Sequence, residues 1–386
     1  MTKNIGLYIH IPFCHKLCTY CDFVKRVSTP DRIQKYVDYL IKEINIYQNN
    51  DFDFSKVDSI YIGGGTPSLL NKTNPNQLDE LLSFLDQLID KYQIKLKEYS
   101  IEINPEDLDQ SLVELFKKHQ INRVSIGIQT LSNKLGLIIG REINFDLFKS
   151  NFKYLKSQIP NVNIDLMYAI PTQTIKDIED TVSKVLDLEP THLSIYSLIL
   201  EKNTKLNYLY ESGKISLISE DEELQMIDKI HKLLFPRFYQ YEVSNYALKS
   251  TINYESYHNK KYWLNEEYLG VGLGASSYIN NVRFKNFESL KDYYDMIDQG
   301  ILQYLEYDEL KLKDKKEYTL ILGLRMLQGI DLKKYQEDYN SSLFDDFNNR
   351  KIQEFIDKNY LIYQDDFLRI NPKYLYIMDY LIKEVM

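Results

Sequence analysis

The sequence predicts an α/β fold: a partial (β/α)6 barrel of the TIM-like kind, followed by a mostly helical, winged-helix-like accessory domain. Three observations carry that expectation. Short runs with two-residue apolar alternation recur along the first 230 residues. Between them lie longer runs with apolar residues every three or four positions. Near residue 300 the alternation gives way to helices and one small hairpin.

In "IGLYIHI", Leu7, Ile9 and Ile11 alternate with Tyr8 and His10, which is strand periodicity. "VDSIYIGGG" from Val57, "YSIEINP" from Tyr99, "NRVSIGIQ" from Asn122, "VNIDLMYAIP" from Val162 and "THLSIYSLI" from Thr191 repeat it. "RIQKYVDYLIKEINIY" and "QLDELLSFLDQLIDKY" read as amphipathic helices. Strands alternating with helices imply a parallel sheet joined by right-handed crossovers. Six such units precede residue 230, with "QYEVSNYA" as one later strand. The expected organisation is a barrel core over 1–230, a barrel extension over 231–300 and an accessory domain over 301–386. In the last, "LKLKDKKEYTLILGLRMLQGIDLKKYQEDYN" reads as helix, turn, helix, and "YLIYQDDFLRIN" as a hairpin before a final helix.

Composition excludes several classes. The 386 residues are 44% hydrophobic and 27% charged, as in a globular protein with a sizeable core. A formal net charge of -9 gives no attraction to nucleic acid or to anionic lipid. No apolar run reaches the roughly 20 residues that span a bilayer, so peripheral association is the most a membrane could offer. The N-terminus lacks the pattern of a secretory signal, and a cytoplasmic location is expected. A reducing cytosol argues against disulfides, as does an odd number of cysteines.

The polar residues fall in a pattern. A cysteine loop follows the first strand, and "GGGTPS", Gly63 to Ser68, follows the second. Glu102, Gln129 and Asp165 sit late in strands three, four and five. The chemistry of (β/α) barrels lies at the carboxyl ends of the strands. One such residue could cap a helix or close a turn; five consecutive strands delivering a polar group or glycine turn to one end argue for a site.

All three cysteines lie within "HIPFCHKLCTYCDF", as Cys14, Cys18 and Cys21 in a C-x3-C-x2-C pattern. A structural zinc site needs four ligands, and the fourth would have to be His10, His15 or a distant residue. Three unrelated buried cysteines would not cluster in eight residues. An iron–sulfur cluster takes thiolate ligands, and three on a [4Fe–4S] cube leave one iron open to an outside ligand. The chemistry favours a cluster with a vacant corner on the catalytic face.

Tyr8, "HIPFC", the cysteine spacing and "GGGTPS" resemble the radical S-adenosylmethionine (SAM) superfamily. Together with "IEINPE", "NRVSIGIQ", "IDLMYAIPTQT", "LSIYSL", "YEVSNYA" and "HNKKYWLNEEYLGVGLGASS", they resemble the anaerobic coproporphyrinogen III oxidase family and its HemW-like heme chaperones. The likeness runs from residue 5 to about 280. It implies that Cys14, Cys18 and Cys21 ligate the cluster and that SAM chelates the open iron. Tyr8, Tyr20, Gly64, Gly65, Thr66, Glu102, Gln129, Arg141, Asp165 and Ile199 match positions that hold SAM. Carboxylate, amide and guanidinium groups suit the amine, the carboxylate and the ribose hydroxyls of SAM. In such a site a reduced cluster would hand an electron to the sulfonium, giving methionine and a 5′-deoxyadenosyl radical.

Within the family, the oxidases carry a further cysteine where this chain has Phe23, which points to the chaperone branch. "HNKKYW", His258 to Trp263, matches the chaperones' H-N-x-x-Y-W and implies His258 as a heme ligand. Trp263 could pack on the porphyrin face. The function implied is binding heme and passing it to an acceptor protein; oxidative decarboxylation of coproporphyrinogen III is the alternative, and a non-enzymatic structural metal protein the third. Two departures stand out. The family's G-R-x-H reads "GREI" here, keeping Arg141 and losing the His, and "YAIP" replaces "GLP" after Asp165. His119, His192 and His231 read as structural.

Overall fold

The computed structural model describes residues 4–386. Six parallel strands form the centre: β1 (Ile5–Ile11), β2 (Val57–Gly64), β3 (Glu98–Ile103), β4 (Arg123–Gln129), β5 (Val162–Tyr168) and β6 (His192–Ser197). Helices Pro30–Asn49, Pro75–Tyr92, Gln110–Lys118, Phe145–Gln158 and Ile175–Leu186 connect them on the outside.

Strand periodicity sorts the side chains by face. Leu7, Ile9, Ile60, Ile62, Ile101, Val124, Ile126, Ile164, Leu166, Leu193 and Ile195 are buried in one apolar core with the helices. The alternate positions are polar. In register across the strands lie Tyr8 and Tyr61, Glu102 and Ser125, Asp165 and Ser194. The barrel interior is therefore hydrophilic, which an inert structural barrel filled with branched apolar side chains would not be.

The barrel stays open, because β1 and β6 each pair outward. "QYEVSNYA" is not one strand. It is split between β7 (Phe238–Gln240) and β8 (Asn245–Leu248), an antiparallel hairpin whose second strand pairs with β6. Tyr241, Glu242, Val243 and Ser244 make the bend, and the Glu242 carboxylate accepts the Ser244 amide at 3.2 Å. On the other edge β9 (Tyr268–Val271) pairs parallel to β1, followed by antiparallel β10 (Ser276–Ile279), β11 (Val282–Lys285) and β12 (Glu306–Glu309). The whole is a 12-stranded sheet, and its last strand lies past residue 300.

A second apolar core gathers Leu320, Ile352, Phe355, Leu368, Leu381 and Val385. Helices Leu312–Gly323, Leu332–Tyr339, Asn349–Asp357 and Met378–Val385 surround it with the hairpin β14 (Leu361–Gln364) and β15 (Phe367–Ile370). The hairpin is joined on its β15 edge by the short strand β13 (Ile330–Asp331). This is the winged-helix-like arrangement that the sequence predicts. Among the described residues, no helix is long and apolar enough to cross a membrane.

Candidate functional site

A cavity of about 460 Å³ opens at the carboxyl ends of β1 to β6. Cys14, Cys18, Tyr20 and Cys21 line it from the loop after β1; Gly64, Gly65 and Thr66 from the turn after β2. Glu102, Gln129, Arg141, Asp165 and Ile199 line it from the strands and loops that follow. Of the residues matched to SAM, only Tyr8 is absent from the wall.

The cysteine loop is held at several points. The Cys14 amide donates to the Arg26 carbonyl at 2.9 Å, and the Arg26 amide to the Pro12 carbonyl at 2.7 Å, closing the loop's ends. His10 contacts the Val24 carbonyl through Nε2 at 2.9 Å and the Tyr8 hydroxyl through Nδ1 at 2.9 Å. Tyr8 thus acts from below the cavity. Thr19 donates its amide to Ile139 at 3.1 Å and its hydroxyl to Ile138 at 2.8 Å, docking the middle of the loop on helix Asn133–Ile139. His15 reaches Asp107 at 3.0 Å.

All three thiols are free and half-buried. Burial pushes the Cys14 thiol up to about 11, against a hydrogen bond from Thr66 and the charge of Arg141. Among the described residues, no three His, Cys, Asp or Glu side chains converge to hold a single metal ion. The three thiols share one wall without meeting at one point, which suits a multi-iron group better than one zinc.

Two glycines are required by geometry. Gly64 has φ +115°, and a side chain there would meet the His10 ring. A Cβ on Gly65 would lie 2.6 Å from the Phe13 carbonyl and 3.0 Å from the Cys14 sulfur. The backbone of the β2 turn can approach the cysteine loop only without side chains.

The carboxylates come next. Glu102 accepts from the Tyr61 hydroxyl at 2.7 Å and the Gly64 amide at 3.0 Å. Burial pushes it up to about 7, with Asp165 adding to the shift and those two hydrogen bonds opposing it. Asp165 accepts from Asn163 at 2.7 Å and from Ser125 at 3.3 Å, and burial raises it as well. Gln129 sits on a bulge between β4 and β5 with φ +67°, and its side-chain amide oxygen accepts the Tyr196 hydroxyl at 2.7 Å. Arg141 donates to the Asn104 side chain at 2.5 Å, yet its buried Nε has no partner. Burial opposes its charge, but Cys18, Tyr20 and Glu106 outweigh burial and raise its pKa. A guanidinium with an orphaned donor beside an open cavity is poised for an anionic group.

His258 lies elsewhere. It is the second residue of helix Tyr257–Trp263, which packs over Gly6 and Ser59 near the amino ends of β1 and β2. The ring is fully buried, with Nδ1 3.0 Å from the Ser59 hydroxyl and Nε2 2.9 Å from the Tyr262 hydroxyl. Burial, with Lys261 adding to it, pushes its pKa down to about 3. Both nitrogens are engaged and the ring does not line the cavity, so this conformation offers iron no ligand at His258. Trp263 packs with Tyr241 and Met326 at the seam with the accessory domain, beneath the Arg325 guanidinium at 5.5 Å from its ring. The neighbouring Asn259 does reach the cavity wall. His119 bridges Asp79 and Asp86, His192 bonds Asn163 and Tyr241, and His231 bonds Tyr246.

Sequence reasoning passed over Arg123, Ser125, Asn163 and Ser194, which line the lower cavity. Their two-residue alternation with buried aliphatics was the available signal. Asn104 and Asp107 were also missed, although "INPED" follows β3 as "GGGTPS" follows β2.

Residues 8–185 match the Radical SAM superfamily, and residues 310–373 match the HemN C-terminal domain. The chain is 36% identical over 367 residues to "Heme chaperone HemW" of Lactococcus lactis, covering 95% of this chain and 92% of that one. The chain belongs to the HemW family. It is 34% identical over 340 residues to "Heme chaperone HemW" of Bacillus subtilis, covering 87% of each. Its fold matches the coproporphyrinogen III oxidase HemN of Escherichia coli, described as a radical SAM enzyme, with a TM-score of 0.82 over 99% of this chain and 89% of that one at 21% identity. That match covers the barrel and the accessory domain alike.

Proposed function

We propose that this chain is a heme-handling protein: it holds a [4Fe–4S] cluster through Cys14, Cys18 and Cys21, binds SAM beside it, and passes heme to an acceptor protein. One observation carries the cofactor part. Three free thiols, a side-chain-free turn and a buried guanidinium with an unpaired donor share one cavity. The donor set fits both groups. Thiolates suit iron. Arg141 would pair with the carboxylate of SAM, and Glu102 and Asp165 would accept from its amine and ribose hydroxyls. When bound, the cluster supplies an open iron and a low-potential electron. Gly64 and Gly65 admit the ligand, Gln129 is preset by its bulge, and the polar barrel interior below keeps the carboxylates solvated by protein groups.

The heme part rests on the relatives named heme chaperone, not on His258. Phe23, where the oxidases have cysteine, is exposed at the cavity mouth, as is Ile199. Anaerobic reconstitution tests the proposal, with iron and acid-labile sulfide analysis followed by heme titration. The expected result is about four iron and four sulfide per chain and heme binding near one per chain. Cys14→Ala should abolish iron uptake. Zinc without sulfide would overturn the cofactor reading. SAM-dependent conversion of coproporphyrinogen propionates to vinyl groups would replace the chaperone reading with the oxidase.

A further inference from the structure

The three-cysteine loop leaves the barrel as a long excursion, and the ligand geometry depends on what holds it. Thr19 fixes the half that carries Cys18 and Cys21, through its two bonds to helix Asn133–Ile139. The half between Cys14 and Cys18 contains only His15, Lys16 and Leu17. Leu17 is exposed, and Lys16 meets Glu142 at 3.3 Å in a largely exposed pair. Such pairs hold little. His15 is different. Its Nε2 lies 3.0 Å from Oδ1 of Asp107, a carboxylate with only 3% of its side chain exposed.

The other oxygen of Asp107 is also in use. Oδ2 accepts the Ser68 hydroxyl at 2.6 Å, and Ser68 is fully buried. The Ser68 oxygen in turn accepts the Asn104 amide at 3.3 Å. Ser68 closes the same turn as Thr66, which lines the cavity with Cys14. Asn104 holds Arg141. One buried carboxylate therefore links the cysteine loop, the glycine turn after β2 and the start of the segment after β3. Each of those three lines the cavity.

We infer that Asp107 is a positioning residue for the cluster: through His15 and Ser68 it sets the Cys14–Cys18 half of the loop, though it touches no ligand itself. This rests on the cluster reading above. Groups that orient metal ligands from outside typically cost ten- to a hundredfold in metal retention when removed. The test measures release of iron from anaerobically reconstituted protein to an excess ferrous chelator, alongside the melting temperature of the apoprotein. Asp107→Ala should load with iron and release it about tenfold faster than the parent. Asp107→Asn, which can still accept from His15 and donate to Ser68, should stay near the parent rate. His15→Ala lies on a half-exposed loop residue and leaves the barrel untouched, so it reads the same clamp should Asp107→Ala fold poorly. It should also release iron about tenfold faster. The double variant should be no faster than Asp107→Ala alone, because that substitution already removes the link to His15. Parent-like release from His15→Ala, or effects that multiply in the double variant, would overturn the inference. A parent protein that takes up no iron would instead overturn the cluster reading itself.

Discussion

The two ends of the barrel are built from the same strands and do opposite things. At the carboxyl ends, the groups face an open cavity: thiols are free, an arginine nitrogen is orphaned, and Gln129 and Ala169 hold positive φ. At the amino ends, charged groups are just as dense but turned on one another. Lys261, 1% exposed, meets Asp58 at 2.9 Å and Glu266 at 3.4 Å. Asp58 also takes Lys97 at 3.2 Å, the Tyr257 hydroxyl at 2.5 Å and Asn4 at 2.8 Å. Glu98 accepts the Tyr257 amide at 2.8 Å and the Ser256 hydroxyl at 3.2 Å, so it caps the helix that carries His258. One end is prepared for an occupant, and the other is a closed floor. Density of polar residues does not separate them; whether their charges face one another or an open cavity does.

Breaking the floor should cost stability without emptying the cavity. Lys261→Ala removes the buried ammonium from Asp58, leaving Lys97 as its remaining cation, and should lower unfolding free energy by about 3 kcal/mol, read by urea denaturation. Iron uptake per folded chain should be unchanged. Loss of iron uptake with parent stability would mean that the floor belongs to the site.

His258 sharpens the contrast further. His258→Ala leaves Ser59 and Tyr262 without their shared partner and opens a small void, so it should destabilise by about 2 kcal/mol. Heme bound per folded chain should equal the parent's. Selective loss of heme at parent stability would show that the floor opens to present this ring.

Two buried carboxylates turn the comparison into a pH experiment. The floor holds Asp58 below the usual carboxylate range: burial pushes it up, but Tyr257 and Lys261 more than offset that. The cavity holds Glu102 up at about 7. An acid raised in the folded state binds more protons folded than unfolded between its two pKa values. Stability therefore falls as pH rises from about 4.5 to 7, by up to about 1.4 kcal/mol per unit. Asp58 acts in the reverse sense, adding stability above its unfolded pKa that is lost as pH falls through its folded one. Glu102→Gln in the apoprotein should reduce the slope between pH 4.5 and 7, and the buried Glu43 and Glu242, also held up at about 7, should supply what remains. An unchanged slope would show that Glu102 is not the group titrating there.

The smallest effect concerns the departure "YAIP". Ala169 adopts φ +59°, a left-handed conformation that favours glycine. Ala169→Gly should raise stability by about 1 kcal/mol through relief of left-handed strain, read as a higher urea midpoint. A lower midpoint would mean that the methyl group is needed for packing.

Much of the cavity end was legible in the sequence, and the floor was not. Cys14, Gly64, Glu102, Gln129 and Asp165 announce themselves because each follows a recognisable strand, and the barrel rule carries each one to the same end. His258 and Lys261 gave no comparable signal. Their burial depends on Ser59, Asp58 and Glu98, about 160 to 200 residues earlier, and no local pattern records such partners. Asp107 fails for the same reason, with His15 92 residues away. The hairpin of β7 and β8 was hidden because "QYEVSNYA" keeps β-like composition through its bend.

The most direct test of the open cluster is electron paramagnetic resonance of the anaerobically reconstituted, dithionite-reduced protein with and without SAM. A reduced [4Fe–4S] signal whose g-values shift when SAM is added is the result predicted for three cysteines and one free iron. No such signal, or one that SAM leaves unchanged, would contradict it.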